Sequence, residues 1–269
     1  MAITGRYIDV EGIRIYYESN DGPRENGTIF CLHTAGRDCR QYQGVMDYFE
    51  GKYEVVCPDM PGHGKSWPLP GLKVIDKWPE YGRFYWAIIQ ALGIENPIIM
   101  GCSLGGYMTY YMAQNYPIRA AIAMQGIDYR GGRHTTMADL LDHPYVNPQF
   151  SHFEFSESLI GPKTTQERKE FILWGVRQEI STCKKADLGM LYDHFDLRDT
   201  HYKITCPVMI VRGDADWGTP DAECKRIKAA LVNAKKVEYK IFPGYGHFIA
   251  VEAPEELGAA VEEFLADVD

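Results

Sequence analysis

The chain has 269 residues, a length that suits one large α/β domain or two small ones, and its 45% hydrophobic and 24% charged residues are typical of a folded globular protein. Its formal net charge of -9 argues against a basic nucleic-acid-binding surface, so we expect no nucleic-acid partner. The beginning of the chain lacks a basic segment followed by an apolar run, and no apolar stretch is long enough to cross a bilayer. We therefore expect neither a signal peptide nor a membrane partner.

The cysteines favour a reducing compartment. There are 7 of them, scattered along the chain, and no C-x-x-C pair occurs. Several lie in apolar runs such as "IFCLH" and "VVCPD", where cysteine acts as a small hydrophobic residue. This usage predicts a cytoplasmic protein without disulfides.

The first half of the chain alternates strand and helix patterns. Two β-rich segments, "RYIDV" and "IRIYYES", are joined by Glu-Gly and predict an opening hairpin. Continuous apolar runs predict buried strands at residues 28–33, 53–59, 96–102 and 119–126. Helical patterns occur around "RQYQGVMDYFEG", along "DKWPEYGRFYWAIIQALG" and after Ser103. The alternation predicts βαβ units and a mostly parallel sheet.

The alternation stops after the fourth of these runs and returns later. Residues 128–203 contain no good strand pattern, but they contain helical pieces such as "TTQERKEFILWGVRQEI", in which Thr164 and Glu167 form a capping-box signature. Strand and helix patterns then alternate again from "CPVMIVRGDAD" to "PEELGAAVEEFLADV". We predict one α/β core made of residues 1–127 and 204–269, interrupted by a helical insertion of residues 128–203.

The stretch "GCSLGG" places Ser103 between a predicted buried strand and a predicted helix. Gly101 and Gly105 complete a G-x-S-x-G pattern, in which glycines allow a sharp turn that exposes the serine above the sheet. The alternative is a serine that only caps the helix. A nucleophilic serine needs a base and a third group that orients it. Asp214 and Asp216 follow one later strand and His247 follows the last, so these groups meet at the carboxyl edge of the sheet.

These motifs resemble the α/β-hydrolase superfamily, in particular its small capped serine esterases and C–C hydrolases. The resemblance rests on "LHTAG", "DMPGHGKS", "GCSLGG", "GDADWGTP" and "FPGYGHF", which occur in the family order. It implies the α/β-hydrolase fold, a mostly parallel central sheet with helices on both faces, with residues 128–203 as a cap. It also implies a triad of Ser103, Asp216 and His247. The family spacing selects Asp216 over Asp214, while members with the acid one strand earlier would nominate Asp128.

The resemblance also implies an oxyanion hole made of two backbone N–H groups. One belongs to Leu104, which follows the nucleophile, and the other to Ala35 in the loop after the third strand. Thr34 stands where the family usually has glycine, and a β-branched residue is poorly suited to positive φ. We therefore expect this loop to have adapted, with Gly36 taking the flexible position.

No metal or cofactor site is predicted. His134, His143, His152, His194 and His201 fall in or beside the insertion without the spacing of metal ligands. The segment "DMPGHGKS" resembles the end of a phosphate-binding loop. It has Asp59 where that loop requires glycine, so a nucleotide site is not expected.

Candidate substrate-binding residues are Thr34, Arg37, Trp174 and Trp217. Arg37, or Arg40 beside it, could hold a substrate carboxylate, although ordinary surface charge is the more common role. The aromatic residues could line a pocket for an apolar substrate or pack on the core.

The sequence therefore predicts a serine hydrolase that forms an acyl-enzyme with a small carboxylic ester or lactone. Two alternatives stay open: a C–C bond hydrolase that acts on a diketone-like acid, and a ligand-sensing receptor with slow hydrolysis. The partner expected in each case is a small molecule. A homodimer is neither predicted nor excluded.

Overall fold

A mixed sheet forms the centre of the computed structural model, which describes residues 3–129, 148–192 and 195–268. Its strands are β1 (Thr4–Val10), β2 (Ile13–Ser19), β3 (Thr28–Leu32), β4 (Glu54–Pro58), β5 (Ile98–Cys102), β6 (Ala120–Met124), β7 (Val208–Gly213) and β8 (Val237–Phe242). Their order across the sheet is β1-β2-β4-β3-β5-β6-β7-β8.

Helices flank this sheet. They are α1 (Gln43–Tyr48), α2 (Trp78–Ala91), α3 (Leu104–Asn115), α4 (Pro148–Ser158), α5 (Gln166–Arg177), α6 (Ser181–Tyr192), α7 (Asp221–Ala230), α8 (Ile249–Glu252) and α9 (Pro254–Leu265), with 3-10 helices at Arg24–Asn26, Cys39–Tyr42 and Arg198–Lys203. Among the described helices, none combines the length and the apolar character that a membrane span requires.

The opening hairpin is confirmed. β1 and β2 pair antiparallel, and the turn between them has positive φ at Glu11 and Gly12 (55° and 80°), as a two-residue type I′ turn requires. β2 also pairs antiparallel with β4, whereas every neighbouring pair from β4 to β8 is parallel. The predicted mostly parallel sheet is therefore confirmed, with its antiparallel pairs at one edge.

The inner parallel strands β3, β5 and β6 consist almost entirely of buried apolar residues, because both faces of the sheet are covered. Successive side chains of a strand point to opposite faces. Phe30 and Leu32 of β3 pack in the same apolar cluster as Tyr85 of α2, whereas Ile29 packs in a second cluster with Val261 of α9. All 7 cysteines are buried and free. The continuous apolar runs in the sequence thus correspond to strands buried between two layers of helices.

Between β6 and β7 the described residues contain α4, α5, α6 and a 3-10 helix but no strand of the sheet. The expected capping box of α5 is wrong by one residue. The cap is Thr165, whose Oγ1 accepts the backbone N–H of Arg168 at 3.4 Å. The Thr164 hydroxyl instead donates a hydrogen bond to Glu252 at 2.6 Å, so its side chain does not contact the backbone of α5.

Candidate active site

Ser103 lies on a strained turn between β5 and α3. Its backbone has φ 55° and ψ −120°, which a non-glycine residue adopts only when its surroundings enforce it. A Cβ atom on Gly101 would meet the carbonyl oxygen of Gly105 at 2.1 Å, and one on Gly105 would meet that of Leu32 at 2.1 Å. Both glycines are therefore required for the close packing of β3, β5 and α3 that holds Ser103 in place.

Asp216 and His247 form a buried pair at the ends of β7 and β8. His247 Nδ1 lies 2.8 Å from Asp216 Oδ2, and Asp216 Oδ1 accepts the backbone N–H of Gly218 at 2.8 Å. Burial by itself would raise the pKa of Asp216, but the charge and hydrogen bond of His247 hold that pKa below its usual value. Asp216 is thus an ionised acceptor that fixes the orientation of the His247 ring.

The two other acids considered from the sequence do not contact His247. Asp128 is buried against His201 (2.6 Å from Asp128 Oδ2 to His201 Nε2) and the guanidinium of Arg226. Asp214 accepts the backbone N–H of Gly244 at 2.6 Å and lies at the surface. Each has a partner that accounts for its position, so only Asp216 pairs with His247.

Glu252 of α8 fixes the loop that carries His247, and sequence reasoning missed it. Its carboxylate accepts the backbone N–H groups of Gly246 and Phe248, both at 2.8 Å, on either side of His247. It also accepts the N–H of Gly161 at 2.8 Å and the hydroxyl of Thr164. Glu252 follows His247 by only five positions, and its side chain turns back to the backbone on either side of His247. No local sequence pattern indicates this contact.

The two backbone N–H groups expected to form the oxyanion hole lie in the loop after β3 (Ala35) and at the start of α3 (Leu104). Within the described residues, no intramolecular acceptor takes the backbone N–H of Ala35 or Leu104, although both residues are buried. Thr34 is held by Gln41, whose Oε1 accepts its N–H and its hydroxyl at 3.0 Å each. The positive φ falls on Gly36 (72°) and not on Thr34, so the loop has adapted as expected.

Helix α6 holds the peptide unit between Ala35 and Gly36 at both of its polar atoms. Lys184 Nζ donates to the carbonyl oxygen of Ala35 at 2.8 Å, and Asp187 Oδ2 accepts the N–H of Gly36 at 2.6 Å. Residues three apart lie on one face of a helix, so α6 presents both groups to the loop together. Asp187 Oδ2 also lies 3.0 Å from His63 Nε2. Sequence reasoning did not identify Lys184 or Asp187.

Ser103 and His247 open into one cavity of about 120 Å³. Apolar and aromatic side chains form much of its wall, namely Phe155, Leu159, Leu188, Leu191, Trp217 and Phe248. Thr34, Ala35, Gln125, His152, Glu179 and Lys184 add polar groups. Of the candidate substrate-binding residues, Thr34 and Trp217 therefore reach the cavity.

Arg37 and Trp174 do not line this cavity. Arg37 is buried (5% exposed) and donates to the carbonyl oxygen of Ile172 at 2.8 Å, so it is not the surface charge that its local sequence suggests. Trp174 is 46% exposed, and the guanidinium of Arg40 lies 4.4 Å from its ring centre. Arg40 is also paired with Asp38. We assign none of these three residues direct contact with a substrate.

Asp38, Cys39 and Asp59 have possible metal-ligand atoms within 4.8 Å of one another, as no other group among the described residues does. Their oxygens already have partners. Asp59 accepts the backbone N–H of Cys39 at 2.7 Å and that of Lys65 at 2.8 Å, and Asp38 pairs with Arg40. The cluster therefore organises the loops around the third and fourth strands. His134, His143 and His194 lie outside the described residues.

His33 makes the stability of the protein depend on pH. Its Nε2 accepts the backbone N–H of Met60 at 3.2 Å, so its Nδ1 carries the proton and donates to the carbonyl oxygen of Thr34 at 2.9 Å. Burial, together with the nearby charge of His63, lowers the pKa of His33 to about 4. In the unfolded chain a histidine titrates near pH 6.5. The neutral form therefore stabilises the fold above about pH 6.5, and this contribution is lost as the pH falls towards 4.

We expect His33→Gln to flatten this dependence. Across pH 6 to 5 the wild type should lose about 1 kcal/mol per pH unit more than the variant does. Urea unfolding of both proteins at several pH values measures the difference. The variant's lower stability at pH 7 does not affect the comparison, because only the slopes are compared. Parallel curves would show that His33 is not neutral in the fold.

A model of the alpha/beta hydrolase fold family matches residues 27–166, which is more than half of the chain. The chain belongs to the α/β-hydrolase family. Among solved structures, the enol-lactonase of Burkholderia xenovorans superposes with a TM-score of 0.81 at 18% identity, over 97% of this chain and 100% of that one. This likeness shows the α/β-hydrolase fold.

Two curated relatives match most of the chain. A bifunctional esterase/perhydrolase of Acinetobacter calcoaceticus is 24% identical, over 95% of this chain and 97% of its own length. A 2-hydroxy-6-oxononadienedioate/2-hydroxy-6-oxononatrienedioate hydrolase of Paraburkholderia phymatum is 24% identical, over 98% and 96%. The chain spans only 29% to 57% of the length of several other curated relatives that it matches.

Proposed function

We propose that this α/β-hydrolase is a serine hydrolase that cleaves a small carboxylic ester or lactone, with Ser103, His247 and Asp216 as its triad. One observation carries the proposal: the strained Ser103 shares a cavity with His247, whose Nδ1 is hydrogen-bonded to Asp216. A strained backbone of this kind is retained where a function requires it. The geometry is that of a nucleophile, a base and a group that orients the base.

The reaction follows from these positions. Because His247 Nδ1 is bonded to Asp216, its Nε2 takes the proton from Ser103 Oγ as that oxygen attacks the carbonyl carbon. The negative charge that develops on the carbonyl oxygen is stabilised by the N–H groups of Ala35 and Leu104. The C–O bond then breaks, and His247 delivers its proton to the leaving oxygen. Water repeats the sequence on the acyl-enzyme and releases the acid.

A fluorophosphonate probe tests this proposal. We expect intact-mass analysis to show one label on the wild type and none on Ser103→Ala, because the probe reacts with an activated serine. Hydrolysis of p-nitrophenyl esters from acetate to octanoate then measures which acyl chains the cavity accepts. A wild type that is not labelled would contradict the nucleophilic role of Ser103. Labelling with very slow turnover would favour the ligand-sensing alternative.

A second candidate is C–C bond hydrolysis of a diketone-like acid. Lys184 in the cavity wall and Arg37 behind it favour this function, because they share the single carboxylate of Glu179 and an apolar ester would not offset the second positive charge. The relative from Paraburkholderia phymatum is named for hydrolysis of substrates of this kind. Turnover of a dienol-diketo acid without turnover of p-nitrophenyl esters would select this function instead.

A domain division is proposed on the same grounds. The insertion of residues 128–203 would act as a cap, since α6 contacts the loop after β3 and residues of α4 and α6 line the cavity. Residues 1–127 and 204–269 would form the core that carries the triad. A cap of this kind excludes water and selects substrates.

A further inference from the structure

One side of the cavity is formed by three buried ionisable side chains, His152, Glu179 and Lys184, which we call the polar wall. Their side chains are only 4%, 6% and 12% exposed. All three belong to the segment between β6 and β7. Burial of charged groups is unfavourable unless each finds a partner, so this wall needs an explanation.

The polar wall together with the adjoining Arg37 carries an excess positive charge. Lys184 Nζ lies 3.3 Å from Glu179 Oε1, and Arg37 Nη1 lies 3.8 Å from the same oxygen. Burial raises the pKa of Glu179 and lowers that of Lys184. The net charge of the two side chains is zero in either case, whether the proton is on Lys184 or on Glu179. Arg37 always keeps its charge. Two cations thus share one carboxylate.

Asp187, His63 and His152, which lie beside these residues, do not cancel this excess. Asp187 is matched by His63: burial alone would lower the pKa of His63, but the ion pair and hydrogen bond with Asp187 raise it well above its ordinary value. Burial, with the charges of Lys184 and Arg37, lowers the pKa of His152 to about 3, so His152 is neutral. The net charge of the polar wall, Arg37, Asp187 and His63 is therefore one positive unit, while the ionised Asp216 is paired with His247, which lines the same cavity.

The polar wall also has unused hydrogen-bonding capacity. An ammonium group has three N–H donors. Lys184 uses two of them within the described residues, on Ala35 O and Glu179 Oε1. Neither ring nitrogen of His152 has a hydrogen-bond partner among those residues, but His152 Nε2 lies 3.4 Å from Glu179 Oε2 and both nitrogens are buried. A ligand in the cavity can therefore meet one unused donor, from Lys184.

We propose that the polar wall binds a substrate carboxylate, so that the substrate is an ester or lactone whose acyl part carries a carboxylate. This inference rests on the proposed function, because it places the acyl group on Ser103. A carboxylate supplies an acceptor for the unused Lys184 donor and offsets the positive charge of Lys184 and Arg37. A neutral hydroxyl or amide would leave that charge uncompensated. A cationic group would be repelled by Arg37 and Lys184.

The position of Lys184 connects this site to the reacting carbonyl. Its ammonium group is bonded to the oxygen of Ala35, whose N–H is one of the proposed oxyanion donors. Lys184 would therefore hold the substrate carboxylate and also support Ala35, whose N–H contacts the oxygen of the ester carbonyl. We expect the carboxylate to affect kcat/KM rather than binding alone, because it fixes the carbonyl relative to Ser103.

Two matched esters test the proposal: mono-p-nitrophenyl adipate, and the p-nitrophenyl ester of adipic acid monoamide, which has the same shape without the charge. We expect the wild type to favour the acid over the amide by about tenfold or more in kcat/KM. Lys184→Met should remove most of this preference. Glu179→Gln should keep or increase it, because it removes the competing carboxylate. Ser103→Ala provides the background rate for each ester.

A general loss of activity in a variant affects both esters equally, so it does not change the ratio of their kcat/KM values. The ratio measured with the wild type tests the carboxylate site without any substitution. The carboxylate site is overturned if the wild type shows no preference for the acid, or turns over neither ester while the fluorophosphonate still labels Ser103. An unchanged ratio in Lys184→Met would overturn the assignment to Lys184. Absence of labelling would overturn the proposed function instead, so the two failures are distinguishable.

Discussion

Asp216→Asn should lower kcat by about 10⁴-fold while the protein remains folded. An amide at this position presents an N–H group or a neutral oxygen to His247 Nδ1 instead of a carboxylate. The ring then loses the interaction that fixes its tautomer and that stabilises its protonated form during the reaction. Steady-state kinetics on the best p-nitrophenyl ester measures the loss, and circular dichroism with urea unfolding verifies the fold.

The chain offers two matched controls for this prediction. Asp214→Asn changes an acid two residues away that accepts only the backbone N–H of Gly244, and we expect kcat within a few-fold of wild type. Asp128→Asn changes the acid at the alternative position. It should lose stability through its pairs with His201 and Arg226, but it should retain activity below its unfolding temperature. A loss in Asp128→Asn equal to that expected for Asp216→Asn would transfer the orienting role to Asp128.

The places of Ser103, Asp216 and His247, the proposed triad, can be predicted from the sequence because their determinants are local. Ser103 lies within a five-residue pattern whose glycines are each required by one backbone contact. Asp216 and His247 follow apolar strands directly, and the carboxyl ends of parallel strands meet at one edge of a sheet. Short-range patterns therefore suffice to bring together three residues that are far apart in the chain.

The remainder of the site depends on long-range contacts that no pattern encodes. Asp187 bonds to a residue 151 positions away, and its own surroundings read as an ordinary helix. Arg37 illustrates the same limit, since its charged neighbours Asp38 and Arg40 indicate a surface loop while α5 covers it through the carbonyl of Ile172. The packing of the insertion on the core determines both the contacts of Asp187 and the burial of Arg37. The predicted capping box was displaced for the same reason, because Thr164 bonds to Glu252.

Asp187→Ala should lower kcat by about 10- to 100-fold with little change in KM. It removes the acceptor of the Gly36 N–H, so the backbone at Ala35 and Gly36 loses one of its fixed points and the direction of the neighbouring Ala35 N–H becomes more variable. The substitution also leaves His63 without its partner, and we expect a loss of about 3–5 kcal/mol in the free energy of unfolding. Kinetics well below the unfolding temperature, combined with urea unfolding, separates the two effects.

Asp187→Asn distinguishes a positioning role from a purely structural one. Its amide oxygen can still accept the Gly36 N–H, so kcat should recover to within a few-fold of wild type, whereas stability should not fully recover because the charge that pairs with His63 is lost. If Asp187 only stabilised the packing of α6, kcat in the two variants would follow their stabilities and not the presence of an acceptor. A recovered kcat in a still destabilised Asp187→Asn therefore requires that α6 acts on the reaction through the peptide between Ala35 and Gly36.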